Sequence, residues 1–353
     1  MSSKTFLELT KSGQPLAQKR NSVAELQNLE RKDENGNYRY LTPKNLSATS
    51  ARFYEESIDR IFSGYSSVLR ELVGYIRKTS EKPESVSKAT WKSTTTSQAV
   101  EVASALLPMA STIENKSISN GKQPTQESQL TTLVERIMPQ TMSPASDEIE
   151  LIKYSPLNEL ELVEDILFEL SSQPANIAED VYEEMTFEKK IELFRRYCTA
   201  GGRASLRQAR YEWEIVESIA TAQNILSLSP SADVVFQEFS PRLGYEVPLI
   251  VEEAKVSEIY ERCFDASYEL YSSLQAAGYY QEAELAILRG HRLRWRLRID
   301  ANSLSKILNN GPKGGEHGNS TNLYGTLTLR WQDIHPTIAS ILSAKEPGRK
   351  PTK

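Results

Sequence analysis

The chain has 353 residues, 39% of them hydrophobic, and a net charge of -5, which is long enough for two domains with real cores. The acidic balance sets aside a general nucleic-acid or membrane-surface binder and confines any anion site to a local patch. Cys198 and Cys263 are the only cysteines, and they show no metal-ligand spacing, nor do His291, His317 and His335; no metal is expected, and a reducing, cytoplasmic setting is the simpler one. The first 20 residues lack the apolar centre of a signal peptide and no run is long enough to span a bilayer, so no membrane association is expected.

Residues 1–49 are polar with mixed charge and a turn signal at Asn35-Gly36-Asn37, and they read as a poorly ordered lead-in. From Ala51 to Arg77, Phe53, Ile58, Ile61, Phe62, Tyr65, Val68, Leu69, Leu72, Tyr75 and Ile76 recur at three and four residues, which predicts one long amphipathic helix. Lys78–Ser97, rich in Ser, Thr and Lys, reads as a linker. Ala99–Leu107 reads as a helix stopped by Pro108, and Leu130–Met138 as a third. Pro139–Asp147 is the expected boundary between halves.

Ile149–Tyr154 reads as a strand and Leu157–Leu170 as a helix. Thr186 is placed to cap a helix at Phe187–Tyr197, with Gly201-Gly202 ending it. Arg203, Arg207 and Arg210 then follow at spacings of four and three, and a helix there would align them as an anion site or as an ordinary solvated face. Tyr211–Leu226 reads as a buried helix or strand pair, Ser227–Asp233 as a loop and Val256–Leu274 as a long amphipathic helix. The glycines at 311, 314, 315 and 318 make no phosphate loop, because no Lys-Ser or Lys-Thr pair opens a helix after them. A terminal helix is expected around Leu327–Leu342, containing Pro336.

Within Leu285–Asn310 the sequence alternates strictly. Arg292, Arg294, Arg296 and Arg298 share one face of a strand, and Leu293, Trp295, Leu297 and Ile299 share the other. Helical segments at Gly278–Leu288 and Asn302–Leu308 would flank it. Four guanidinium groups in a row, next to His291, suit phosphates or carboxylates; the other reading is a solvated, salt-bridged strand.

The two long helices carry a matched string. Tyr54-Glu55, Asp59, Tyr65, Ser66 and Ser67 recur as Tyr260-Glu261, Asp265, Tyr271, Ser272 and Ser273, each followed by a segment rich in Gln, Ala and Leu, and an internal duplication is expected.

In order along the chain, Ser155–Leu170, an arginine-bearing segment, Gln237-Glu238-Phe239-Ser240-Pro241-Arg242-Leu243-Gly244-Tyr245-Glu246-Val247-Pro248, Gly290-His291-Arg292-Leu293-Arg294-Trp295 and Ile334-His335-Pro336 together resemble the flavin-dependent thymidylate synthases (ThyX), particularly their longer relatives. The resemblance covers about residues 150–345. It implies an α+β, helix-rich ThyX-like domain with a small central sheet flanked by long helices, preceded by a partial second copy. The organisation it suggests is a lead-in at 1–49, a mainly helical partial repeat at 50–140, a ThyX-like domain at 150–345 and a tail at 346–353.

Members of that family bind FAD and dUMP between the subunits of a homotetramer, and methylate the uracil ring with methylenetetrahydrofolate and a nicotinamide reductant. Here the family's Arg-His-Arg triplet is replaced by Ser227-Leu228-Ser229-Pro230-Ser231-Ala232-Asp233, and the family's later Asn, Arg, His and Arg positions appear as Asp300, Asn302, Lys306 and Asn310. Lost arginines forfeit charge-assisted bonds worth roughly 1.5 to 3 kcal/mol each. The resemblance therefore implies a degenerate homologue with a structural or regulatory role, assembled with itself or with a paralogue. The alternative is an active enzyme that uses FAD, dUMP and folate through a rebuilt site of Arg203, Arg207, Arg210, His291 and the Arg292–Arg298 row. Nucleic acid is the least favoured partner.

Overall fold

The computed structural model describes residues 23–30, 32–34, 36–111, 148–200, 204–237, 239–311 and 320–343. The expected helix at Leu130–Met138, the boundary at Pro139–Asp147, Gly201-Gly202, Arg203 and most of the glycine-rich loop lie outside the described residues. In chain order the N-terminal helices are α1 (Val23–Asn28), α2 (Ala48–Thr79) and α3 (Lys88–Ala103). Next come β1 (Ile149–Ser155), α4 (Leu162–Leu170), α5 (Ala175–Glu184), α6 (Phe187–Thr199), β2 (Arg210–Ser218), α7 (Ile219–Leu228) and β3 (Asp233–Phe236). The last group is α8 (Leu249–Glu253), α9 (Ser257–Ala276), α10 (Tyr280–Ala283), β4 (Arg292–Asp300), α11 (Ala301–Asn310), α12 (Ser320–Ile334) and α13 (Pro336–Ser343).

The result is a helix-rich α+β fold whose four strands form one antiparallel sheet in the order β1-β2-β4-β3. Tyr211, Trp213 and Ile215 of β2 and Leu293, Trp295, Leu297 and Ile299 of β4 are all buried on its inner face. The period-two alternation thus does what it predicts, pressing one face into the core and leaving the charged one outward. Helix α2 starts at Ser47, whose Oγ accepts from Ser50 N, and its apolar stripe is buried from Tyr54 to Ile76. It packs against α9. At one close approach Gly64 faces Cys263, where a Cβ would overlap the Sγ.

Several sequence expectations are corrected. The linker at Lys78–Ser97 is mostly helix, since α3 begins at Lys88. Ser87 Oγ caps it at Thr90 N, and the hydroxyls of Thr94, Thr95, Thr96 and Ser97 donate to carbonyls one turn back. Polar composition there is satisfied inside the helix rather than by solvent. Arg77 also donates to Thr95 and Thr96, tying α2 to α3.

The lead-in is only partly what its polarity suggests. Leu26 and Leu29 join the core, and Tyr38 and Tyr40 stack on Phe62 at centroid distances of 5.2 and 5.8 Å. Arg207 and Arg210 do not share a helix: Arg207 ends a 3-10 turn at Ser205–Arg207, and Arg210 opens β2. Thr186 precedes α6 without a side-chain capping bond. The terminal helix is two, α12 and α13, meeting at Pro336, where proline can begin a helix but not continue one.

The segments following α3 and α10 mirror one another. Each makes a 3-10 turn, Ser104–Leu106 and Glu284–Ala286, and the two then pair antiparallel at Pro108 and Leu288. Met109 N donates to Ile287 O at 2.8 Å, and Arg289 N donates to Leu107 O at 3.0 Å. In each segment the acceptor stands two residues before the donor, so the exchange has twofold form. Upstream, Tyr40 lies against Tyr54 much as Tyr245 lies against Tyr260, with centroids 6.3 and 6.5 Å apart.

Candidate functional site

The outer face of the sheet carries the four arginines predicted from the alternation. Strand register sets what they meet, because β2 places Glu212 opposite Arg298 and Glu214 opposite Arg296, while β3 places Asp233 opposite Arg298. Arg294 Nη1 pairs with Glu214 Oε1 at 2.6 Å. Arg296 reaches both Glu212 and Glu214, at 3.5 and 3.6 Å, and Arg298 reaches Glu212 and Asp233, at 3.3 and 3.5 Å. Arg292 pairs with Glu148 and, at 3.6 Å, with Glu246. Burial pulls the Arg292 guanidinium down, but Glu148 and Glu246 together leave it above its ordinary value.

Every guanidinium in the row is therefore committed to at least one carboxylate of its own chain. An incoming phosphate would have to displace those partners and meet their negative charge. This is the salt-bridged strand of the second sequence reading, built as a ladder across three strands.

His291 sits on the opposite side of the backbone from that ladder. It is buried, and Phe264 and Tyr245 pack edge-on to its ring at 4.9 and 6.4 Å. Nδ1 accepts from Leu288 N at 3.0 Å, which closes the turn into β4. Burial lowers its pKa to about 4, so the ring is neutral near pH 7 and fastens a turn. Arg207 and Arg210 are exposed and make no ion pair among the described residues. They stand at the start of β2, at the end of the sheet where Arg210 pairs with Ser155 and Asp300.

Where the resemblance puts the flavin- and nucleotide-binding triplet, α7 runs into a turn of hydroxyls. Ser231 Oγ lies 3.2 Å from Ser229 Oγ and 2.8 Å from Ser303 Oγ. The charge nearest in sequence is Asp233, which is committed to Arg298. These residues offer a pyrophosphate no cation, and they do not fit an FAD held as the resemblance implies.

A second polar cluster was not anticipated as a unit, and it ties the C-terminal helices to the sheet. Trp331 Nε1 donates to Tyr211 Oη at 2.9 Å, Tyr211 Oη lies 2.8 Å from His335 Nδ1, and His335 Nε2 lies 3.0 Å from Pro156 O. A carbonyl can only accept, so Nε2 carries the proton and Nδ1 accepts from the tyrosine. Beside it the buried Glu159 accepts from Thr337 N and Ile338 N at the start of α13. Every member has its partner inside the protein, as befits a fastening rather than a reaction centre.

A shallow recess elsewhere runs along α6 past Phe187, Ile191 and Arg195. Among the described residues no group of His, Cys, Asp and Glu could hold a metal ion, and no helix is long and apolar enough to cross a membrane. Sequence reasoning missed the counter-charges of the arginine row. Their signal was present in the alternation of Glu212 and Glu214 with Tyr211, Trp213 and Ile215.

No family model matches the sequence, and no curated protein matches it. Among solved structures, the chain is similar to a UMP/dUMP methylase PolB from Streptomyces cacaoi bound with 5-Br dUMP, at 14% identity over 56% of this chain and 94% of that one, with a TM-score of 0.43. It is also similar to the UMP/dUMP methylase PolB from Streptomyces cacaoi bound with 5-Br UMP, at 11% identity over 56% and 93% of the two chains, with a TM-score of 0.41.

Proposed function

We propose that the chain is a ThyX-like protein without thymidylate synthase activity, acting as a structural or regulatory partner of itself or of an active paralogue. The observation that carries this reading is the ladder: Arg292, Arg294, Arg296 and Arg298 are each held by carboxylates of the same chain. A site built for a nucleotide phosphate keeps guanidinium donors in reserve, whereas these are spent on sheet stability. The serine turn in place of the flavin-binding triplet supports the same conclusion. In this reading residues 50–140 derive from a partial copy of the later domain. The twofold exchange of bonds at Leu107 and Ile287 supports it.

The test is direct. The purified full chain is expected to show no flavin absorbance after desalting and to transfer no methyl group to dUMP when supplied with FAD, methylenetetrahydrofolate and NADPH. Flavin retained through desalting, or methylation with this chain as sole enzyme, overturns the reading. The alternative, an active enzyme with a rebuilt anion site, draws its support from Arg207 and Arg210, which have no carboxylate partner among the described residues. It requires that replacing both by alanine abolish dUMP binding.

A further inference from the structure

The recess along α6 has an internal order. Phe194, Tyr197 and Cys198 turn inward, and the helix packs on α4 and α13. Its outer flank is lined by Phe187, Glu188, Ile191, Glu192, Arg195 and Arg196. All of these but the half-buried Ile191 are exposed, and Phe187, at 61%, leaves an aromatic ring in water at the first turn of the helix. Covering that ring and Ile191 is favourable for whatever surface can meet the charges around them.

The six positions are balanced about the midpoint between Ile191 and Glu192. Glu188 and Arg195 stand equally far from it, seven residues apart, which puts them nearly two turns apart on one stripe, negative at one end and positive at the other. Phe187 and Ile191, four residues apart, run along one edge of that stripe. Glu192 and Arg196 run along the other edge and pair with each other.

A second α6 laid antiparallel on this face reverses the order of charge. Each Glu188 then meets the partner's Arg195, twice per dimer, and the two Ile191 side chains meet beside the twofold axis with Phe187 on the same edge. The two Glu192 carboxylates approach on the opposite edge, each already offset by Arg196 of its own chain. A parallel copy would instead set Glu188 on Glu188 and Arg195 on Arg195, a like-charge arrangement.

We propose that the outer flank of α6 is an isologous dimer interface, on which a second copy of this chain packs antiparallel through Glu188, Ile191 and Arg195. One helix pair covers less than the roughly 1,200 Å² of a standard interface, so the dimer is weak, with a Kd in the micromolar range or above. This gives a surface to self-association without resting on the absence of catalysis: a monomeric chain leaves the flavin test standing, and a flavin-bound chain can still pair here.

Sedimentation equilibrium of the full chain from about 1 to 500 μM is expected to show a reversible monomer–dimer equilibrium. Glu188→Arg and Arg195→Glu, both at exposed positions, should each weaken it at least about tenfold by placing like charges together twice. The double reversal should restore it, and Arg262→Glu on α9 should leave it unchanged. Oxidation with copper phenanthroline should link Ile191→Cys into a disulfide dimer far faster than Lys189→Cys, which points away from the axis. Circular dichroism checks folding, and if a charge variant does not fold, the two cysteine variants decide. A monomer throughout, a dimer indifferent to either reversal, no recovery in the folded double variant, or equal cross-linking at 189 and 191 overturns the proposal.

Discussion

Arg294 and Glu214 pair diagonally between β4 and β2, one step off the direct register, with each side chain 21% exposed, the most enclosed pair of the ladder. A half-buried pair couples more strongly than the median surface pair but keeps some solvent screening. Arg294→Met and Glu214→Met should each destabilise the fold, by about 1 to 3 kcal/mol, because each leaves a charge without its nearest partner. The double variant should lose clearly less than the sum. A denaturant-based double-mutant cycle reads the coupling; strict additivity would show that the pair contributes nothing of its own.

Two buried histidines predict acid sensitivity. The folded pKa of His291 is about 4, below the ordinary value near 6.5, and burial also lowers that of His335. Between those values the unfolded chain binds the extra proton, so stability falls as the pH drops from about 6.5 toward 4. For His291 the full loss is about 3 kcal/mol. Urea midpoints measured across that window should decline, and the slope should flatten in His291→Gln. An unchanged slope in that variant would show that the ring does not titrate with unfolding.

The contact between Gly64 and Cys263 makes a cleaner prediction about packing. Gly64→Ala places a methyl group where the Cys263 Sγ already lies, and overpacking of this sort costs roughly 1 to 3 kcal/mol. Cys263→Ala removes the sulfur, so the double variant should recover most of the loss. Burial also pushes both thiols up to about 12, so neither Cys198 nor Cys263 should react with iodoacetamide at pH 8 until the chain is unfolded. Mass spectrometry of the alkylated native protein checks this.

Glu159 offers a fourth test. It accepts from the first amides of α13 out of solvent, and a buried carboxylate at a helix start satisfies donors that have no other partner. Glu159→Ala should cost about 1 to 3 kcal/mol, while Glu159→Gln should restore part of it by keeping an oxygen in place. Thermal melts of the two variants separate these outcomes.

Much of the second half was legible from local pattern. The alternation at Arg292–Asp300 specified both the strand and which face is buried, and three-and-four spacing specified α2 and α9. The site was legible only in part, because its decisive relation joins residues some 80 positions apart. Nothing local says that Glu214 meets Arg294 rather than water; the β2–β4 register puts Glu214 opposite Arg296 and one diagonal step from Arg294. Helix α3 hid behind hydroxyls that satisfy themselves within the helix. The separation of α12 from α13 was legible in principle, since Pro336 marks it.

The reciprocal pair of bonds at Leu107 and Ile287, with α2 laid on α9, means that the C-terminal region is not autonomous. Tyr260, Phe264 and Leu270 of α9 are buried in a core that Tyr54, Ile58 and Phe62 help to close. Stripping away the first 111 residues would leave that apolar helix wet, and such a fragment should aggregate rather than stand as a smaller working domain. The intact chain should melt in a single calorimetric transition, with the early helices serving as a permanent, covalently attached chaperone for the sheet that follows.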